Sequence, residues 1–185
     1  MAGETSIYGL PYLEPDDPPD IAGATQDLAE AVETELQRIE STPQPVDAHQ
    51  AANDTTSSQA YQPGTTHGTA FTAPPSGRVY ITVSASLGTN AVTSVAGSLL
   101  AFEVRIGSSV GSGTVAVTAD DTRAAGPWRP NNSDVGYKYS PAERRTLVPG
   151  LTPGGAYNVR SLFRSDTSGA TAAVLNRYVL VEPSP

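Results

Sequence analysis

Cysteine is absent from the 185 residues, which removes disulfides, thiolate catalysis and cysteine-held metals together, so any folded unit must be held by packing alone. Histidine is nearly absent: His49 and His67 are the only two, and neither lies at ligand spacing from an Asp/Glu cluster. Two histidines of one chain make no metal site by themselves. Lysine is reduced to Lys138, the other basic residues being arginine. No stretch approaches the roughly 18 to 20 consecutive apolar residues that span a bilayer. The start, Met-Ala-Gly-Glu-Thr-Ser, has neither a basic segment nor an apolar one of the kind that opens a signal peptide. The expectation is a soluble chain with no membrane insertion and no signal-directed secretion.

What is present is unevenly distributed. The net charge of −8 combines two different halves. Residues 1–60 hold twelve carboxylates against Arg38 alone, while the remainder holds ten basic and seven acidic side chains. An acidic arm repels phosphate, and the arginines of the second half are scattered along strand patterns, so nucleic-acid binding is not expected. The length allows one domain of ordinary size plus an appendage.

Three tracts follow from the local patterns. In residues 1–20, Pro11, Pro15, Pro18 and Pro19 forbid a helix, and Tyr8, Leu10, Tyr12 and Leu13 suit an extended arm lying in a groove. From Asp20, a candidate N-cap, to about Glu40 the pattern is helical, and Pro43 and Pro45 end it. Ala22, Ala29, Val32, Leu36 and Ile39 recur at steps that keep one face, Leu28 widens the stripe, and the polar face is mostly carboxylate. A seam this short cannot hold a coiled coil alone, so Ala29, Val32, Leu36 and Ile39 are expected to meet sister helices or a receiving surface. Residues 1–42 thus read as a docking arm with an acidic helix, and 43–68, rich in Ser, Thr, Pro and Gln, as a polar linker or neck.

Residues 69–185 carry period-two alternation. Val79, Ile81, Val83 and Ala85 alternate with polar neighbours, as do Leu100, Phe102, Val104 and Ile106, then Val115 and Val117. Further runs cover 145–148, 156–164 and 170–181, with Gly/Pro/Asn turns between. About seven short strands predict a mainly β head, an antiparallel β-sandwich. In the last strand, Leu175, Val179 and Val181 are expected on one face and Val174, Tyr178 and Leu180 on the other. Both faces are then apolar, one for the core and the other for a second subunit or the loop around Trp128.

Two motifs bear on topology. Leu151-Thr-Pro-Gly-Gly-Ala-Tyr157 resembles the tyrosine corner of fibronectin type III domains, in which Leu151 and Tyr157 would pin a loop. Ala70-Phe71-Thr-Ala-Pro-Pro-Ser-Gly-Arg-Val-Tyr80 resembles the opening of a C1q/TNF-like trimeric jelly roll. Jelly-roll and fibronectin III-like orders both stay open at this point. The loop holding Trp128, Arg129, Tyr137 and Tyr139 mixes aromatics with cations and amides, which suits sugar stacking or a protein interface.

No catalytic constellation stands out. Phosphate loops, nucleophile elbows and paired helical histidines are missing, and Asp16-Asp17 and Asp120-Asp121 fit loop solvation or ion pairing better than acid/base work. The expectation is a non-enzymatic chain with no cofactor and no metal.

The arm Tyr8-Gly-Leu-Pro-Tyr12, with Asp16-Asp-Pro-Pro-Asp20 and Leu28-Ala-Glu-Ala-Val32, resembles the docking segment of small bacteriophage tail, baseplate and fibre proteins. The ending Arg177-Tyr-Val-Leu-Val-Glu-Pro183 resembles the terminal strand of heads from the same class of virion appendage. The resemblance implies a structural virion protein, assembled in the host cytoplasm: a trimeric tail or baseplate fibre docked to other virion proteins through Tyr8, Leu10, Tyr12 and Leu13. Its β head would touch a glycan or protein of the host surface. A capsid decoration or head fibre protein is the alternative. A glycan depolymerase is a third reading, which the few acidic residues of the head disfavour.

Overall fold

Proline fixes φ near −65° and keeps the chain extended around Pro11. In the computed structural model, which describes residues 3–4, 11–12, 21–40, 43–90, 97–128 and 138–185, strand β1 (Gly3–Glu4) pairs antiparallel with β2 (Pro11–Tyr12). Helix α1 covers Ile21–Glu40. Its twenty residues make a rod about 30 Å long at 1.5 Å per residue. Asp20, the expected N-cap, lies outside the described residues. These elements form one unit, residues 1–42, and Pro43–Pro185 form the other, the head.

The head contains β3 (Val46–Gln50), β4 (Asp54–Thr56), β5 (Gly68–Thr72), β6 (Val79–Thr89), β7 (Ser98–Ile106), β8 (Val115–Val117) and β9 (Ala125–Trp128). The series ends with β10 (Lys138–Val148), β11 (Ala156–Ser165) and β12 (Ala172–Pro183). One sheet runs β10-β6-β12-β3, with β4 also on β12; the other runs β5-β11-β7-β8, with β9 also on β7. Every pairing is antiparallel.

The pairings are nested. Folding the chain back around β8 brings β7 against β8 and β9, β6 against β10, β5 against β11, and β3 and β4 against β12. This is the double Greek key of a jelly roll. An immunoglobulin-type order sets the first and second strands side by side in one sheet. Here β3 and β4 lie end to end along β12 as one edge of the first sheet, and the next strand, β5, lies in the other sheet, so the jelly-roll expectation holds and the fibronectin III-like one does not.

Alternation builds the core. Ile81, Val83 and Leu87 of β6 face Leu100, Phe102 and Val104 of β7 and Val159 and Phe163 of β11, all fully buried. Each such side chain contributes about 1.5–3 kcal/mol by leaving water. A smaller cluster of Leu99, Ala101 and Ala124, with Tyr61 and Ala119 against it, lies on the opposite face of β7, so the second sheet has a covered outer face as well. Ile106, expected to face the core, is 54% exposed, because it ends its strand beyond the packed region.

Two expectations need correction. The tract 43–68, expected as a neck, supplies β3 and β4 to the first sheet, and Gln62 exchanges backbone hydrogen bonds of 2.8 and 2.9 Å with Phe163. Its side chains are small or polar because its contribution is backbone pairing along an edge, so no apolar period marks it. The second correction concerns β12. A β-bulge between Leu175 and Tyr178, with Asn176 at φ 54°, breaks the alternation. Leu175 consequently shares the outer face with Tyr178 and Leu180, while Arg177 keeps the inward face of Val179 and Val181 and is fully buried.

Candidate functional site

Three arrangements could carry function: a stripe on the helix, an open sheet face on the head and a polar cluster inside it. On α1, Leu28, Val32 and Leu36 are 41%, 40% and 54% exposed, each one turn from the next, and Ala29 beside them is exposed too. Gln26 Nε2 donates to Glu30 Oε1 at 2.8 Å across one turn, a local support on the polar side. Of the residues expected in the seam, Ala29, Val32 and Leu36, with Leu28 beside them, lie exposed on the helix surface. Nothing is described of the Ala22 and Ile39 side chains.

The outer face of the first sheet is ordered in rows by strand register. Glu143 of β10 pairs with Ser84 of β6, Ser84 with Tyr178 of β12, and Tyr178 with His49 of β3. The neighbouring row runs Pro141, Ser86 and Leu175. Serines in the middle column leave the centre low. Ser84, Ser86, Pro141, Ala142, Glu143 and Asn176 line an open depression of about 370 Å³. Further along the face, the Arg145 guanidinium sits 4.1 Å from the Tyr80 ring centroid and 3.1 Å from the Glu182 carboxylate. Burial, and then the Asp47 carboxylate that bonds it, raise the Tyr178 phenol above its ordinary value.

Inside the sandwich, the fully buried Arg177 is held in a polar cage. Its Nη2 donates to Gln50 Oε1 at 2.6 Å and Thr65 O at 2.7 Å, and its Nη1 to Pro63 O at 2.9 Å. Asp54 closes the cage by pairing with Nη2, and accepts from Thr65 N and Thr65 Oγ1 at 3.0 Å each. Gly64 has φ +56°, and a Cβ there would stand 2.9 Å from both the Asp54 carboxylate and the Phe163 ring, so the turn admits only glycine. Ser161 Oγ links Arg177 to His67 Nδ1, 3.0 Å away. His67 is buried, and burial first, then the Arg177 charge, hold its imidazole below the ordinary 6.5. The one faint signal was the parity of Arg177 with Val179 and Val181, which puts an arginine on the inward face of the last strand.

The remaining expected residues are placed as follows. Tyr8, Leu10 and Leu13 lie outside the described residues, as do Arg129 and Tyr137. Tyr12 is described only as extended backbone in β2, and Trp128 only as the β9 backbone opposite Ser98 of β7. Tyr139, in β10, donates from its hydroxyl to Asn53 Oδ1 at 3.2 Å. The Tyr157 hydroxyl accepts from Thr152 N at 2.9 Å, its ring stacks on Phe71 at 5.8 Å and Leu151 is buried, so the corner pins the 149–155 turn. Among the described residues, no three His, Asp or Glu side chains come together as a metal site, and no helix is long and apolar enough to cross a membrane.

The sequence matches no protein-family model and no curated protein. Among solved structures it is similar to Eiger TNF from S. frugiperda, with 8% identity over 78% of this chain and 94% of that one and a TM-score of 0.46. It is also similar to a chain of infectious bursal disease virus, Gx strain, with 17% identity, 76% of this chain, 29% of that one and 0.35. A third is the enzymatically active domain of bacteriophage CBA120 tailspike protein 4, with 12% identity, 72% of this chain, 19% of that one and 0.27. At these identities and scores the likenesses are distant.

Proposed function

We propose that this chain is a structural, non-enzymatic component of a bacteriophage virion: a trimeric fibre or spike of the tail or baseplate. Its N-terminal unit is the anchor, and its jelly-roll head is displayed for attachment to a host surface. The observation that carries the reading is the exposed Leu28, Val32 and Leu36 stripe of α1. A 20-residue helix with such a stripe is marginal alone in water. Sister helices bury the stripe, and the arm before it docks to the particle. Three heads on one stem give avidity without any single tight site.

The non-enzymatic part of the reading is supported by how the head uses its carboxylates. Asp54 faces Arg177, Glu103 faces Arg105 and Arg160, Asp120 faces Arg123, and Asp121 faces Arg164. Acids held in ion pairs serve structure better than proton transfer.

The test is incorporation and mass together. The full chain is expected to scatter light as a trimer, and a chain lacking residues 1–42 is expected to remain folded yet fail to join particles. A monomeric full chain, or normal incorporation of the truncated one, would overturn the anchor. Labelled protein found only on the capsid would reassign it to shell decoration.

A further inference from the structure

We propose that the depression on the outer face of β10, β6 and β12 is a binding site for one neutral saccharide unit of a surface glycan. This rests on the reading of the head as a displayed attachment unit, and adds to it the ligand class and the residues.

The geometry comes from the strand register. Glu143 and Tyr178 stand on the two strands flanking β6, opposite Ser84. Neighbouring strands are about 4.8 Å apart, so the Glu143 and Tyr178 positions are about 10 Å apart; Glu143 and Asn176 line the depression on either side of the Ser84 and Ser86 hydroxyls. The depression of about 370 Å³ lies at the small end of ligand sites, which run from about 300 to 1,000 Å³, and suits one ring better than a chain of them. Asn176 of the bulge also lines it, in the left-handed conformation that asparagine tolerates better than most side chains. Bulges commonly re-aim a side chain next to a site.

The chemistry of the lining selects the ligand. A sugar ring offers adjacent hydroxyls, each both donor and acceptor, and an apolar C–H surface. The Glu143 carboxylate accepts two hydrogen bonds side by side, the Asn176 amide donates and accepts, and the Ser84 and Ser86 hydroxyls do both. These four side chains have no hydrogen-bond partner among the described residues, so a ligand would meet them unspent. Pro141 and Ala142 supply the apolar contact. Glu143 is the charged member of the lining, and its negative charge excludes uronates and other acidic sugars. A shallow site of this kind binds weakly, which several heads per stem convert into useful avidity.

The experiment uses the full chain, saturation-transfer NMR and calorimetry. The probes are methyl α-glucoside, methyl α-mannoside, methyl β-galactoside and N-acetylglucosamine, with glucuronic acid as the charged control. At least one neutral probe is expected to bind with a Kd near 1 mM, while glucuronic acid does not. Losing one charged or amide hydrogen bond is expected to weaken binding about tenfold in Glu143→Gln and in Asn176→Gly, which keeps the left-handed backbone. Ser84→Trp, which fills the depression, should abolish binding without altering thermal stability or oligomeric mass. Three results would each overturn the site: no neutral probe binds, binding is indifferent to all three variants, or Ser84→Trp splits the oligomer. The last would assign the face to a sister copy. Failure here together with loss of particle incorporation on deleting residues 1–42 would leave the anchored-appendage reading standing and remove only the sugar.

Discussion

Leu100 and Leu36 are the same side chain in opposite circumstances. Leu100, on β7, is fully buried between two sheets of its own chain; Leu36, on α1, is 54% exposed. The head surrounds its apolar residues with strands drawn from 43 to 185, and its stability is therefore a property of one molecule. On the proposed reading the helix meets sister chains, and its order then depends on concentration. Charge follows the same division: Asp54, Glu103, Asp120, Asp121 and Glu182 of the head pair with arginines, whereas residues 1–42 hold ten carboxylates against Arg38 alone.

The comparison can be broken most severely at Asp54. Asp54→Ala strands the fully buried Arg177 charge and should cost the head about 3–5 kcal/mol in urea unfolding, with self-association through α1 unaffected until the head melts. A loss below 1 kcal/mol would show that the cage is not what secures β4 to β12. Tyr157→Phe removes the hydroxyl that satisfies Thr152 N and should cost about 1–2 kcal/mol, again in the head alone.

Acid should act on the head more gently. His67 is held below its ordinary 6.5 in the folded chain, so the unfolded chain binds the extra proton first. The contribution of His67 is complete above about pH 6.5 and is lost as pH falls below it. Asp121, whose carboxylate is held down chiefly by its hydrogen bond from Arg164, adds its own loss only near the ordinary carboxylate range. Urea midpoints should therefore slope downward between pH 7 and pH 5, and His67→Asn should flatten that slope; equal slopes would clear His67. The smallest effect on the head is expected from Leu36→Asp, under about 0.5 kcal/mol, while light scattering should show the assembly falling to monomers. If the head melt moved as much as the assembly did, the two units would not be independent.

Much of this division can be read in the residues. The alternation of Val79 to Leu87 and of Leu100 to Val104 announced buried strands, and the helical spacing of Leu28, Val32 and Leu36 announced a stripe in search of a partner. Strand β3 was invisible for a physical reason. Val46-Asp-Ala-His-Gln50 supplies backbone pairing to β12 and one amide to Arg177, and neither contribution demands an apolar period. The bulge at Asn176 was invisible for another. Alternation presumes an unbroken pleat, so the bulge exchanged the expected faces of Val174 and Leu175, turning Leu175 outward and concealing the outer depression. The topology became readable only once the pairing of β3 with β12 was known, since jelly-roll and fibronectin-type chains share local patterns.

That same pairing of first with last strand gives the head a polarity. Val46 lies opposite Val181, so the chain enters the head and finishes it at one pole. Thr89 opposite Lys138, and Ser98 opposite Trp128, mark the other pole, from which the β6–β7 and β9–β10 connections depart. A peptide fused after Pro185 would thus emerge at the pole where the chain enters the head.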